Sequence, residues 1–339
     1  MRLIPIFRLP LPRRADVAAF IKRHEPYCVQ LSASLRRSVG GAFAVLDDGA
    51  DVAADSGGNS FAARLCGVIS FRRTLLLCLP FAEPALPADS KVRDERSVRQ
   101  RAFSAALSAF FEGVRQGAPD GSAGTDGVPV FPPACVNGCA GGAALVLDVL
   151  AAHGAAPVQT NRYDLMRLDR RRFQACAAVP LESGGQIVRF GKSPPPDELH
   201  SLLELQKAYE IEEVLPAHIP FDEHLCRLRL MHTLRTQAVY ALRVLPAGSA
   251  AAPLFAAKAG TSADGFQCAQ LGGVYTRPEF RWRQYGYAVV RALLCRILHE
   301  KKSAVLFVKK ENAAAAGLYR KLGFQKISDY TIAYFHHNP

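Results

Sequence analysis

The sequence predicts two α/β domains, each a mixed sheet flanked by helices, and three observations predict it. At 339 residues the chain exceeds the roughly 100 to 200 of one ordinary domain. Its composition, 49% hydrophobic and 21% charged, falls in the range of soluble globular chains and excludes fibrous or wholly disordered classes. Short apolar runs also alternate with stretches of helical periodicity, as in layered α/β architectures. The boundary is predicted at 180/181, giving domains of residues 1–180 and 181–339.

In the first domain, Ala15 to Leu35 reads as helical, with Val17, Phe20, Ile21 and Cys28 near one stripe and a break at Pro26. Ala42 to Leu46, Cys66 to Phe71 and Leu75 to Leu79 read as strands. The Asp-, Gly- and Ser-rich segment Asp47 to Ser60 reads as a loop. Ser97 to Val114 is a second helix, Gly117 to Pro133 a further loop, Gly141 to Ala152 a third helix and Val158 to Leu168 a strand. The basic run Arg170-Arg171-Arg172 ends that strand.

The second domain opens with strand Gln186 to Phe190. Pro194 to Pro196 followed by Asp197 is a helix start, because proline suits the first turn and an acid suits the positive helix end. That helix is predicted to run to about Val214, before Pro216. A second begins at Asp222 and runs through Leu234. Strands follow at Gln237 to Val244, Leu254 to Ala259 and Gln267 to Thr276. Between Gly286 and Lys301, Val289, Val290, Leu293, Leu294, Ile297 and Leu298 make the stripe of a helix packed on a sheet. Strand Ala304 to Val308, helix Asn312 to Leu322 and strands Phe324 to Ile327 and Asp329 to Phe335 complete the chain.

Forty-two basic and thirty acidic residues give a net charge of +12. Residues 1–180 carry 22 basic and 16 acidic groups, residues 181–270 carry 8 and 10, and residues 271–339 carry 12 and 4, a net +8 at the C-terminal end. A solvated surface is the simple reading, and a phosphate-bearing ligand near that end the sharper one. Charge alone points to nucleic acid. No RRM, zinc finger or helix-turn-helix pattern accompanies it, and nucleic-acid binding is not expected. Apolar runs fall short of the ~20 residues of a membrane span, so no membrane partner is expected. The proline- and arginine-broken N-terminus reads as mature protein rather than a signal peptide. The nine cysteines, an odd number scattered through apolar segments, read as structural thiols in a reducing cytoplasm. Cys135 and Cys139 lack the further ligands a metal needs, so no metal is expected.

The chemistry concentrates between Leu271 and Ala288, where a strand, a basic glycine-containing turn and a helix start follow one another. Helix N-termini offer unpaired N–H groups and about half a positive charge, which suits a phosphate. Neither GxxxxGK[ST] nor GxGxxG occurs, so the usual signatures of nucleotide hydrolysis and dinucleotide binding are missing. HExxH and GxSxG are missing too, which weakens zinc-protease and serine-hydrolase readings.

Arg283-Gln284-Tyr285-Gly286-Tyr287-Ala288 resembles the [QR]-x-x-G-x-[GA] loop of the GNAT superfamily of N-acetyltransferases. Val274 to Arg281 resembles the strand and turn before that loop. Asn312 to Phe324 resembles the family's N-x-x-A-x-x-L-Y-x-x-x-G-F ending. The resemblance covers about residues 185 to 335 and is sharpest over 270 to 325. It implies a GNAT-like mixed sheet with splayed central strands and an acetyl-CoA-dependent transfer to a primary amine by direct attack, with acetyl-CoA as co-substrate. The amides of Gln284, Tyr285, Gly286, Tyr287 and Ala288 would then bind the CoA diphosphate, aided by Arg281 and Arg283. Val274, Tyr275 and Thr276 would pair with the pantetheine arm, and Asn312 would touch it or shape the slot. A backbone N–H near Val274 or Tyr275 would face the carbonyl oxygen. Tyr319 would be the acid at the sulfur, a packed aromatic being the alternative.

Strand Gln267 to Thr276 carries no Asp or Glu, where several family members keep a glutamate. Glu210 and Glu213 share a helical face, and Glu213 is named as the base; a solvated acidic face is the alternative. The first domain loosely echoes the second, as a degenerate GNAT-like unit would, without a glycine-and-arginine turn. Capping the acceptor site, forming a homodimer and binding a regulator are open to it. A non-catalytic CoA-binding sensor is the alternative function. The acceptor amine is not legible.

Overall fold

The computed structural model of the chain describes all residues except 39, 48–59, 72, 84–89, 116–130, 174–184, 216–219, 245–253 and 337–339. Most of the loop at Asp47 to Ser60, most of that at Gly117 to Pro133 and the 180/181 boundary lie outside the described residues. The chain divides into two compact units, Met1–Leu165 with Lys326–Pro339, and Met166–Gln325. This division falls ahead of the boundary expected from sequence, within the strand Gln159–Asp169.

The elements are, in order, β1 (Arg2–Pro5), α1 (Leu11–His24), α2 (Val29–Arg37), β2 (Ala42–Leu46), α3 (Ser60–Arg64), β3 (Leu65–Phe71), β4 (Thr74–Cys78), α4 (Ser90–Arg115), β5 (Cys135–Cys139), α5 (Ala140–Ala152) and β6 (Gln159–Asp169). Then come α6 (Arg170–Phe173), β7 (Gly185–Arg189), α7 (Pro196–Tyr209), α8 (Glu223–Thr236), β8 (Val239–Val244), β9 (Leu254–Asp264), β10 (Cys268–Thr276), α9 (Tyr285–Glu300), β11 (Ser303–Lys309), α10 (Ala313–Lys321) and β12 (Gln325–Tyr334).

In the first unit the strands run β1-β2-β3-β4-β5-β12, antiparallel at every step except the parallel pair β4–β5. In the second they run β11-β10-β9-β8-β7, and β10–β11 is the parallel pair. Each parallel pair needs a crossover helix, supplied by α4 in one unit and α9 in the other. The succession strand, two helices, three strands, helix, strand, helix, strand is thus common to both halves, apart from the short α3 and α6. The two expected terminal strands are one, β12, and it belongs with the first unit.

Local chemistry explains most boundaries. Pro26 sits in a 3-10 turn, Glu25–Tyr27, that separates α1 from α2 as expected. Asp222 caps α8 by accepting from the Leu225 N–H at 2.9 Å. The helix expected to reach Val214 stops at Tyr209 and widens into a π turn, Glu210–Val214, whose Leu215 N–H reaches back to the Glu210 carbonyl at 2.8 Å. Strand β5, Cys-Val-Asn-Gly-Cys, was not legible, because it lacks a β-branched or alternating run. Pairing with β4 on one side and β12 on the other makes it a strand.

Each unit has its own core. Phe71, Phe103, Leu107 and Phe111 are fully buried in the first. In the second, α9 lays the expected stripe on the sheet, with Val289, Val290, Leu293 and Leu294 each 0% exposed. Burying each such side chain stabilises by about 1.5 to 3 kcal/mol relative to leaving it in water. Among the described residues no helix is long and apolar enough to cross a membrane.

Candidate active site

Three interruptions of regular structure meet in the second unit. The first is in the sheet. Strands β10 and β11 pair in parallel at Cys268↔Ser303, Ala269↔Ala304 and Gln270↔Val305, after which the paired register ends although both strands continue. The second is a bulge on the other edge of β10. Gly272 faces Gly260 and Tyr275 faces Lys258, so Gly273 and Val274 stand opposite a single β9 residue. Gly273 has φ +62°, the left-handed conformation such a bulge requires and glycine adopts without penalty.

The third is the entry to α9. Trp282 and Gln284 have φ of 67° and 60°, an uncommon conformation for residues with a Cβ. Gln284 precedes the helix without giving it a side-chain cap. A Cβ built on Gly286 would lie 2.9 Å from Thr276 Oγ1 and 3.4 Å from Leu318 Cδ1, so glycine is what lets the helix start close on the end of β10. The first intrahelical bond runs from the Ala288 N–H to the Gln284 carbonyl at 3.0 Å.

These features border a cleft of about 800 Å³. Of the residues expected from sequence, Val274, Tyr275, Thr276, Arg281, Gln284, Tyr285, Gly286, Tyr287, Asn312, Tyr319 and Glu213 line it. Of the other two expected diphosphate ligands, Ala288 is placed differently and Arg283 stands beside a residue of the cleft wall, Phe280. Ala288 is buried in the core, and its N–H is spent on the helix. The Arg283 guanidinium lies 5.8 Å from the Phe280 ring centroid. Lys321, not singled out by the sequence, lines the cleft with its Nζ 5.1 Å over the Tyr287 ring and 3.4 Å from Gln284 Oε1. Trp282 lines it too and is 92% exposed.

The acidic cluster resolves into three differently placed carboxylates. Glu210 is buried and bound by Arg229 at 3.1 Å and Gln206 at 2.9 Å. Glu212 accepts from the Tyr275 hydroxyl at 2.7 Å and from Arg281 at 2.6 Å. Burial by itself would raise the Glu212 carboxyl; those two donors outweigh it and hold it below its ordinary value. Burial, reinforced by Glu212, pushes the Tyr275 phenol up to about 12. Glu213 lies against Lys309, which donates to its backbone carbonyl at 2.9 Å and to its carboxylate at 3.4 Å.

Asn312 caps α10, its Oδ1 accepting from the Ala315 N–H at 3.0 Å, and so fixes the helix that carries Tyr319. Tyr319 is buried, with its ring 5.8 Å from that of Phe324. Burial, helped by Tyr209 and Glu213, pushes its phenol well above the ordinary value.

Residues 262–333, which include β10, α9, β11 and α10, match the family model described as FR47-like protein. No curated protein matches the chain. Among solved structures it is similar to a GCN5-related N-acetyltransferase from Sphaerobacter thermophilus, at 14% identity over 96% of this chain and 93% of that one, with a TM-score of 0.51. A GCN5-related N-acetyltransferase from Kribbella flavida matches at 13% identity over 97% of both chains, TM-score 0.49. A GNAT-family acetyltransferase from Colwellia psychrerythraea matches at 13% over 95% and 97%, TM-score 0.46. The chain therefore has the mixed α/β fold of the GCN5-related N-acetyltransferases, with an FR47-like segment over its C-terminal strands and helices.

Proposed function

We propose that the second unit is an acetyl-CoA-dependent N-acyltransferase acting on a primary amine. The observation that carries this reading is the parting of β10 from β11 after Gln270, beside the tight start of α9 and with Tyr319 in the same cleft. A slot between parted parallel strands exposes one strand edge to an extended amide-bearing chain, and a helix start at its mouth suits an anion. What supports a diphosphate there is the helix start itself, where the N–H groups ahead of Ala288 have no intrahelical acceptor and Gly286 adds no side chain over them.

Acetyl-CoA would supply an activated acyl group. In this reading Gly286 and the helix start hold the diphosphate, with Lys321 and Trp282 beside it. The β10 edge at Val274 to Thr276 aligns the pantetheine amides, and the Val274 N–H polarises the thioester oxygen. Tyr319 offers its hydroxyl as a hydrogen bond to the departing sulfur, which takes up the proton that the amine has lost. Glu213, a carboxylate on the cleft wall, would accept a proton from the amine, directly or through water, and pass it on. Arg281 contributes less than expected to the diphosphate site, because Glu212 already holds its guanidinium.

A second reading has an observation of its own. Both cleft carboxylates are engaged, Glu212 by Tyr275 and Arg281 and Glu213 by Lys309, as in a CoA-binding sensor that does not turn over. Release of free CoA from acetyl-CoA, followed across a panel of small amines, amino acids and peptides, separates the two. The enzyme reading predicts amine-dependent release above the buffer rate with at least one class; saturable binding without release across the panel would favour the sensor.

A further inference from the structure

Lys258 sits in the middle of β9, yet only 4% of it is exposed. Its Nζ donates to the Gly273 carbonyl at 3.0 Å and to Gln206 Oε1 at 2.8 Å, and lies 4.2 Å from the Tyr209 ring centroid. An ammonium has three donors and no acceptor, so two hydrogen bonds and a ring face account for its needs. The far side of Gln206 donates to Glu210 Oε1 at 2.9 Å, and Arg229 donates to Glu210 Oε2 at 3.1 Å. A connected polar network thus runs through the core from α8 to the bulge of β10.

The end of that network matters most. Gly273 is the bulge residue, and a Cβ there would meet Lys258 Nζ at 3.1 Å, so the conformation and the clamp fit each other. Planarity of the trans peptide between Gly273 and Val274 makes its N–H point opposite to its C=O. Holding the Gly273 carbonyl toward Lys258 therefore turns the Val274 N–H the other way, and Val274 is a wall residue of the cleft. A neutral donor would satisfy the carbonyl. A cation, expensive to bury, also polarises the peptide and makes its N–H a stronger donor.

We propose that Lys258 is a positioning residue: through the Gly273 carbonyl it aims and polarises the Val274 N–H as the donor to an acyl oxygen in the cleft. The proposal rests on the acetyl-CoA reading above, and its test separates the two.

The probes are acetyl-CoA and S-ethyl-CoA, a thioether of similar shape with no carbonyl oxygen, and the readout is affinity by calorimetry, which needs no turnover. One well-placed hydrogen bond predicts that the wild-type protein prefers acetyl-CoA by about tenfold. In Lys258→Met the preference should shrink to within about twofold while S-ethyl-CoA binds as before. A retained preference in the variant overturns the proposal, as does a wild-type protein that binds both ligands equally. Binding of neither ligand by the wild type would remove the acetyl-CoA reading itself, and the proposal with it.

Should the variant bind neither ligand, a wild-type titration from about pH 6 to about pH 9 decides. The groups facing Lys258 are Gln206 and Tyr209 from α7, Glu210 from the turn after it, Cys226 from α8, and Tyr275, its register partner on β10, with Arg229 of α8 bound to the other oxygen of Glu210. Burial pushes the Lys258 ammonium down to about 7, against the opposing pull of Glu210 and Cys226. The charged form therefore prevails below that value and is lost above it. The preference should fall as pH rises through it, and a flat ratio would overturn the proposal.

Discussion

Gly286→Asp is expected to weaken acetyl-CoA binding by about a hundredfold or more, from two effects that add. The first is steric. The new Cβ falls 2.9 Å from Thr276 Oγ1, a distance side-chain carbons do not tolerate, so the Thr276 side chain or the backbone around it must shift. The second is electrostatic. A carboxylate about 4 Å from a diphosphate costs roughly 1 kcal/mol per charge pair in bulk water and about 4 at the effective dielectric of a protein surface. Gly286→Ala isolates the first effect and should lose less. Calorimetric titration of both variants checks this, and an aspartate variant that binds within about threefold of the wild type removes the diphosphate from this helix start.

Tyr319→Phe is expected to slow amine-dependent CoA release by about a hundredfold while leaving acetyl-CoA affinity within about twofold, the usual scale for losing one positioned proton donor. The ring and its packing against Phe324 remain, so the fold should be unaffected. The pH profile follows from the direction of the shift. Burial raises the phenol, the donor form is the protonated one, and that form is lost only as pH rises through the raised value. No loss of rate from this group is expected below about pH 10. A phenol raised above 10 is a weaker acid than a thiol of about 8.5, so Tyr319 would stabilise the leaving sulfur by hydrogen bonding, the proton lost by the amine completing the transfer. Equal turnover in wild type and variant would remove Tyr319 from the chemistry.

What the sequence disclosed and what it hid follow from how local each feature is. The α9 stripe, the Pro26 break, the Asp222 cap and the turn from Arg281 to Gly286 are set by neighbouring residues, and each is found where expected. The bulge follows from Gly272-Gly273 only once β9 supplies the register. Strand β5 depends on partners far along the chain, as does the place of β12 in the first unit. Lys258 was invisible, because a lone lysine in an apolar run reads as an exposed strand position. Its burial depends on Gln206, 52 residues away, and on the carbonyl of Gly273, 15 residues away. Helical spacing predicts that Glu210 and Glu213 share a face, but the structure buries Glu210 and sets Glu213 on the cleft. The π turn and the separate cations Arg229 and Lys309 give them different tasks.

Trp282, the only tryptophan in the chain, stands almost fully exposed on the wall of the cleft, two residues ahead of the α9 cap, and so reports on this loop alone. Its fluorescence during titration with acetyl-CoA, compared with pantetheine that has no diphosphate, is the direct measurement. A saturable change with acetyl-CoA and little with pantetheine is the predicted result. No change with acetyl-CoA, or the same change from pantetheine, would contradict a diphosphate seated at the start of α9.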